Sequence, residues 1–251
     1  IVLDQGEGRP PYRPKNITER FYGLTTLRTG LERSFNVTTV RMASEVGLRK
    51  ITNVIKRFGI NKRPRRIYSI VLGSTETNLI KLVNAYAMIV NGGKRVTPHL
   101  IERIQDKSGN TIYRRDERKC EDCSVIDGTP IDETIFPILP DIRETMTDSA
   151  TAYQITPMLE GVVQHGSAWR ASVIKKPLGG KTGTTNNNVD SWFVGFTPDL
   201  VVGVFVGFDT PQTLGAVETG SSVSLPIFIN IMKDYLKDKP SVPFRIPPTV
   251  K

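Results

Sequence analysis

The 251 residues are 38% hydrophobic and 24% charged, with 21 Gly, 17 Pro and 2 Cys. That balance excludes a disordered or disulfide-framed chain, and the length allows one large domain or two small ones. No apolar run approaches the roughly 20 residues of a membrane helix, and Ile1-Val2-Leu3-Asp4 lacks the basic start and apolar core of a signal peptide, so the opening reads as sequence from within a longer protein. Lys and Arg exceed Asp and Glu by 34 to 25, giving +9, and Lys56, Arg57, Lys62, Arg63, Arg65 and Arg66 concentrate part of the excess. Such a field favours anionic partners. Nucleic acid is not expected, because finger spacing, an aromatic RNA-binding signature and a basic region before heptads are all missing. A solvated basic face and a surface working beside an anionic lipid or polymer both stay open.

Residues 1 to 26 carry Gly6, Gly8, Pro10, Pro11, Pro14 and Gly23, too many breakers for regular structure, and are expected as an extended lead-in. Residues 27 to 93 are expected to be helical. Leu31, Val37, Val40, Met42, Val46, Ile51, Val54, Ile55 and Phe58 recur mostly at three- and four-residue spacing, punctuated by Gly47 and Gly59, which predicts two amphipathic helices. A further helix is predicted from Asn78 to Val90, stopped by Asn91-Gly92-Gly93. Residues 94 to 147 are expected as an insertion: a small hairpin through Leu100-Ile101, Ser108-Gly109-Asn110 and Thr111-Ile112-Tyr113, then a charged loop. Cys120 and Cys123 fall in that loop without zinc-ligand spacing or a redox-motif setting. A local disulfide or two plain thiols is expected there.

Residues 148 to 251 return to order. Thr151 to Gln164 has helical spacing, and from Gly179 the chain reads as strands. Trp192-Phe193-Val194-Gly195-Phe196 and the run from Leu200 to Phe208 are joined at Pro198-Asp199 as antiparallel neighbours. Leu225 to Leu236 is a closing helix with Pro226 in its first turn. Helices before and after an antiparallel sheet indicate an α/β (α+β) domain. Trp192 and Phe193 are expected in the sheet core, and His99 and His165 as ordinary loop and helix-end residues.

Chemistry points to Gly179-Gly180-Lys181-Thr182-Gly183-Thr184-Thr185. A phosphate-binding loop would need a glycine where Lys175 stands, so the nucleotide reading fails. The alternative is a Lys-Thr-Gly triad, in which a strand edge presents a cation, hydroxyls and backbone N–H groups to an acyl substrate. Ser34-Phe35-Asn36 supplies a Ser-x-Asn at a helix boundary. With these, Tyr12-Arg13-Pro14-Lys15-Asn16, Asn84-Ala85-Tyr86-Ala87, Asp190-Ser191-Trp192-Phe193-Val194-Gly195 and Val206-Gly207-Phe208-Asp209 make the chain resemble the transpeptidase domain of class A (bifunctional) penicillin-binding proteins. The likeness covers nearly the full length and is poorest over residues 114 to 147.

The resemblance implies a penicillin-binding-protein/β-lactamase-like transpeptidase fold, incomplete at the N-terminus, and acyl transfer through a serine ester on stem peptides ending in D-Ala-D-Ala. It implies Ser34 as proton relay, Asn36 as orienter of a lysine and of the substrate amide, and Lys181 as the cation near the substrate carboxylate. Thr182 and Thr184 would hold that carboxylate, Thr185 would line the site, Gly183 would admit the substrate backbone, and the Thr184 N–H would serve as an oxyanion donor. The family's Ser-x-x-Lys nucleophile segment normally precedes the Ser-x-Asn. Here the one Ser-x-x-Lys is Ser172-Val173-Ile174-Lys175, which follows it, so the nucleophile is expected upstream of Ile1.

By the same resemblance the partners are peptidoglycan stem peptides, β-lactam antibiotics and cell-wall synthesis machinery, with no nucleic acid, cofactor or metal. The location is the periplasmic face of the bacterial inner membrane, reached through an anchor outside these residues. A D,D-carboxypeptidase or β-lactamase-type hydrolase on the same scaffold, or a non-catalytic peptidoglycan- or partner-binding fragment, are the alternatives.

Overall fold

A computed structural model describes residues 1–6, 8–118 and 139–250. Cys120, Cys123 and most of the charged loop lie outside the described residues. The chain divides into two compact units, Ile1–Lys94 with Thr145–Lys251, and Arg95–Glu144.

In the first unit the lead-in is extended, pinned by a bridge between Leu3 and Tyr12. Three helices follow where periodicity alone predicts two: α1 (Leu27–Glu32), α2 (Asn36–Val46) and α3 (Leu48–Arg57). Periodicity does not resolve the break at Arg33–Phe35, where Ser34 turns left-handed with φ +58°. Gly47, at φ +88°, separates α2 from α3 by a conformation that residues with a Cβ rarely adopt. The helix α4 (Leu79–Val90) begins where the Asn78 side chain accepts the Lys81 N–H. It ends at Asn91-Gly92-Gly93, where the Gly93 carbonyl accepts the N–H groups of Met146 and Thr147.

The Arg95–Glu144 unit contains a hairpin of β1 (Arg103–Gln105) and β2 (Thr111–Arg114). Its first strand starts later than the apolar pair Leu100-Ile101 suggests. The Asp106 carboxylate accepts N–H groups from Ser108 and Asn110, and this turn sets the register instead.

The first unit is completed by α5 (Ser149–Gln164), β3 (Gly179–Thr184), β4 (Ser191–Phe196), β5 (Val201–Val206) and α6 (Leu225–Leu236). The three strands form an antiparallel sheet in the order β3-β4-β5. Register pairs Gly179 with Phe196 and Thr184 with Ser191, and alternation sends successive side chains to opposite faces. On one face Phe193 meets Phe228 of α6 at a ring separation of 4.7 Å. On the other, Phe196 meets Tyr86 of α4, and a Cβ on Gly203 would strike Val83 at 2.4 Å. Phe193, Phe196, Phe228 and Met232 are fully buried, each contributing about 1.5–3 kcal/mol of transfer free energy. Trp192 departs from the expected core position. It leaves the opposite face from Phe193, packs on Phe205 and stays partly exposed.

Candidate active site

Ser34 occupies the turn between α1 and α2. The Phe35 N–H donates to the Gly30 carbonyl and the Ser34 N–H to that of Leu31, the paired bonds of a Schellman helix stop with Ser34 at its left-handed position. Glycine is the usual occupant, and a side chain there costs on the order of 1–2 kcal/mol. The start of α2 lacks a side-chain cap of its own. The lead-in supplies one: Asn16 Oδ1 accepts the Val37 N–H at 3.1 Å, and its Nδ2 donates to the Arg20 carbonyl. Phe35 stacks on Tyr22 with the rings 7° from parallel.

Within the described sheet β3 is an edge strand, so part of its backbone N–H and C=O groups face away from β4. Gly179 stands against α5, where an added Cβ would come 3.3 Å from the Glu160 nitrogen. Lys181, two residues on, leaves the same face. Its Nζ donates to Ser34 Oγ at 2.8 Å and to the Thr182 carbonyl at 3.1 Å. The sheet motif and the helix-stop motif, 147 residues apart, therefore meet in one hydrogen bond. Burial disfavours the ammonium and brings the Lys181 pKa down to about 8, within reach of proton exchange with a neighbouring hydroxyl at ordinary pH.

Thr182 Oγ1 lies 3.1 Å from Ser167 Oγ. Thr184 Oγ1 accepts the Gly220 N–H at 3.0 Å, an arrangement that leaves its O–H to donate. Thr185 is tied into the β3–β4 connection, its Oγ1 accepting the Asp190 N–H at 2.7 Å. At Gly183 the nearest neighbour of an added Cβ is Trp192 Cβ, 3.1 Å away, a tight cross-strand contact that a side chain could enter only if Trp192 gave way slightly. Asn36 turns elsewhere: its Nδ2 donates to the Lys15 carbonyl at 2.9 Å. The structure thus joins Ser34 to Lys181 and directs the Asn36 amide to the lead-in. Ser172 and Lys175 are exposed in and just after a 3₁₀ turn, Trp169–Ile174.

The model of the penicillin binding protein transpeptidase domain matches residues 3–233. The chain belongs to this transpeptidase domain family. It is 53% identical over its whole length to a penicillin-binding protein 1A of Rickettsia bellii and 34% identical over 95% of its length to one of Pseudomonas aeruginosa. It spans 32% of each of those relatives. Among solved structures, penicillin-binding protein 1A from Haemophilus influenzae superposes with a TM-score of 0.83 at 29% identity, covering 99% of this chain and 39% of that one. PonA1 from Mycobacterium tuberculosis in complex with penicillin V shares the fold, at a TM-score of 0.70 and 20% identity over 93% of this chain and 62% of that one.

Three residues around this site leave no motif in the sequence. Glu32, at the end of α1, is buried and accepts from His165 Nε2 at 2.9 Å. The Ser167 N–H donates to the Glu32 carbonyl at 3.0 Å. His165-Gly166-Ser167 has the composition of a plain helix end. A carboxylate pairing with it from 133 residues away leaves no local trace.

Proposed function

We propose that these residues form the Ser-x-Asn and Lys-Thr-Gly walls of a serine-type peptidoglycan D,D-transpeptidase. The observation that carries this reading is the 2.8 Å contact between Lys181 Nζ and Ser34 Oγ. A serine hydroxyl attacks the carbonyl of the penultimate D-Ala, and the resulting ester forms as the terminal D-Ala leaves. The amine of a neighbouring stem then attacks the ester, forming the cross-link amide and regenerating the serine. Ser34 and Lys181 pass the proton between nucleophile and leaving amine. Lys181 attracts the terminal carboxylate, and Thr182 and Thr184 receive it. An extended stem peptide aligns along the free edge of β3 by strand addition, with the Thr184 N–H facing the developing oxyanion. Asn36 orients the catalytic lysine and the substrate amide after exchanging its lead-in partner, and Thr185 and Gly183 shape the strand end.

By the family's motif order, we read the nucleophile as belonging to a Ser-x-x-Lys segment outside residues 1–251. Two features of the sheet favour an additional segment. Among the described residues β5 has an open edge, and Ile227, Ile231 and Tyr235 line an exposed apolar stripe on α6. Natural sheets seldom leave such an edge uncovered. The parent is read as a β-lactam target at the periplasmic face of the inner membrane, carrying a glycosyltransferase and a membrane anchor and working with cell-wall synthesis machinery.

The test is acylation of the natural gene product by a fluorescent penicillin. Lys181→Ala is expected to slow labelling by about 100- to 1,000-fold, the loss typical of one electrostatic stabiliser. Unchanged labelling would sink the assignment. Residues 1–251 alone are expected to take no covalent label. Product analysis with and without an amine acceptor distinguishes cross-linking from hydrolysis.

A further inference from the structure

We propose that Glu32 and His165 are a positioning pair that grips the α1–α2 turn on the end of α5 and so sets the reach of the Ser34 hydroxyl to Lys181. The inference rests on the reading of Ser34 and Lys181 as reaction-site residues. Neither member of the pair is assigned any contact with substrate.

Four independent observations converge on Glu32. Its side chain is only 6% exposed, and carboxylates are seldom buried unless paired. Its Oε2 meets His165 Nε2 at 2.9 Å, and its Oε1 lies 3.7 Å from an Arg28 guanidinium nitrogen. The surface that receives it is open through two missing side chains. A Cβ on Gly161 would stand 2.1 Å from Glu32 Oε1, and a Cβ on Gly166 would stand 2.3 Å from the Glu32 carbonyl oxygen. Gly161 lies inside α5, where alanine would be favoured by about 1 kcal/mol, so the carboxylate gives this glycine its reason. Finally, the main chain is held as well, through the bond from the Ser167 N–H to the Glu32 carbonyl.

These contacts lead straight to the site. Ser34 follows Glu32 by two residues and sits in a left-handed conformation that persists only where its surroundings over-determine it. The segment holding Glu32 also touches the Lys-Thr-Gly strand, since Ser167 Oγ lies 3.1 Å from Thr182 Oγ1. One short stretch, Gly161–Ser167, therefore references the Ser34 turn to β3. A displacement of the turn by about 1 Å would break the hydrogen bond between Lys181 and Ser34.

The experiment measures, in the natural gene product, the pre-acylation affinity for a fluorescent penicillin, the rate constant of the acylation step and the melting temperature. His165→Ala is expected to slow acylation by about 10- to 100-fold, the cost of a misplaced catalytic group, with the affinity before acylation nearly unchanged. His165→Gln, whose amide N–H can reach the same carboxylate, is expected to recover most of the rate. Gly161→Ala is expected to slow acylation as well, because its Cβ evicts the Glu32 carboxylate. A rate lost per folded molecule supports the pair. Wild-type rates in both H165A and G161A, or a loss that merely follows the unfolded fraction, would overturn it. Wild-type protein that takes no label would instead bring down the transpeptidase reading, and the pair with it.

Discussion

Lys181 and Ser34 meet at 2.8 Å, yet the backbones that bring them together are built by different means. Lys181 stands on a strand held in register with β4 from Gly179 to Thr184, and β4 is held in turn by β5. Its place is fixed by many backbone bonds that no single side chain controls. Ser34 stands on a turn between a six-residue helix and α2, placed by two helix-stop bonds, a cap borrowed from Asn16 and the Glu32 contacts on α5. A ladder tolerates side-chain change without moving, whereas a turn held by a few specific contacts moves when one of them is lost. The strand wall should therefore answer substitution with altered chemistry, and the turn wall with altered geometry.

The sharpest probe is Ser34 itself. Ser34→Gly and Ser34→Ala both remove the hydroxyl and are expected to slow acylation by about 100-fold or more. They should differ in stability. Glycine relieves the left-handed strain by on the order of 1 kcal/mol and should melt about 2–4 °C above alanine. Equal melting temperatures would mean that the turn stores no strain and that the contrast between the walls is false.

Gly220→Ala attacks the strand wall, since its Cβ would stand 2.6 Å from the carbonyl oxygens of both Gly183 and Trp192. Urea unfolding should report a loss of about 1–3 kcal/mol, as for other overpacked sites. An unmoved midpoint would show that the ladder yields to a single added methyl group.

The Lys181 ammonium gives a pH-dependent comparison. Burial lowers its pKa from 10.5 to about 8, so the cation proposed to face a ligand carboxylate is lost as pH rises through 8. Affinity for a carboxylate ligand should fall above that pH, and Lys181→Met should flatten the profile. Stability should run the other way. Between pH 8 and 10.5 the unfolded lysine keeps a proton that the folded one has released, so this group's contribution to folding rises across that window. The smallest expected effect is that of Asn16→Ala, which removes the borrowed cap of α2 at a cost of about 1 kcal/mol, read as a modest fall in melting temperature.

Much of the order was legible where one period or one cap dominates. The strands β4 and β5 run as dense β-branched and aromatic segments with a turn at Pro198-Asp199, and α6 announces itself with Pro226 in its first turn. Asn78 and Asn91-Gly92-Gly93 bracket α4 as helix-end chemistry requires. The misreadings came where local signals were silent. The Ser-x-Asn marked a helix boundary near Ser34, but apolar periodicity alone gave one helix there, and nothing local announced the left-handed turn at Ser34. Trp192 and Phe193 look alike in composition, but strand alternation places only Phe193 against α6. Within the site, Ser34 and Lys181 were legible as motif residues, while Glu32 and His165 were not, because a pairing across 133 residues leaves no periodicity in either segment.

The order of residues alone was enough to specify the ends of α4, the start of α6, the alternation of the sheet, the two short motifs and their family likeness, because each depends on neighbours within a few positions. Only the folded chain decided that the Lys181 amine would be partly buried and its basicity lowered, that Ser34 would be held left-handed beside it, and that a buried carboxylate would fasten that turn to α5. Those properties depend on distance in space and on exclusion of solvent, and both arise only when segments more than a hundred residues apart pack together.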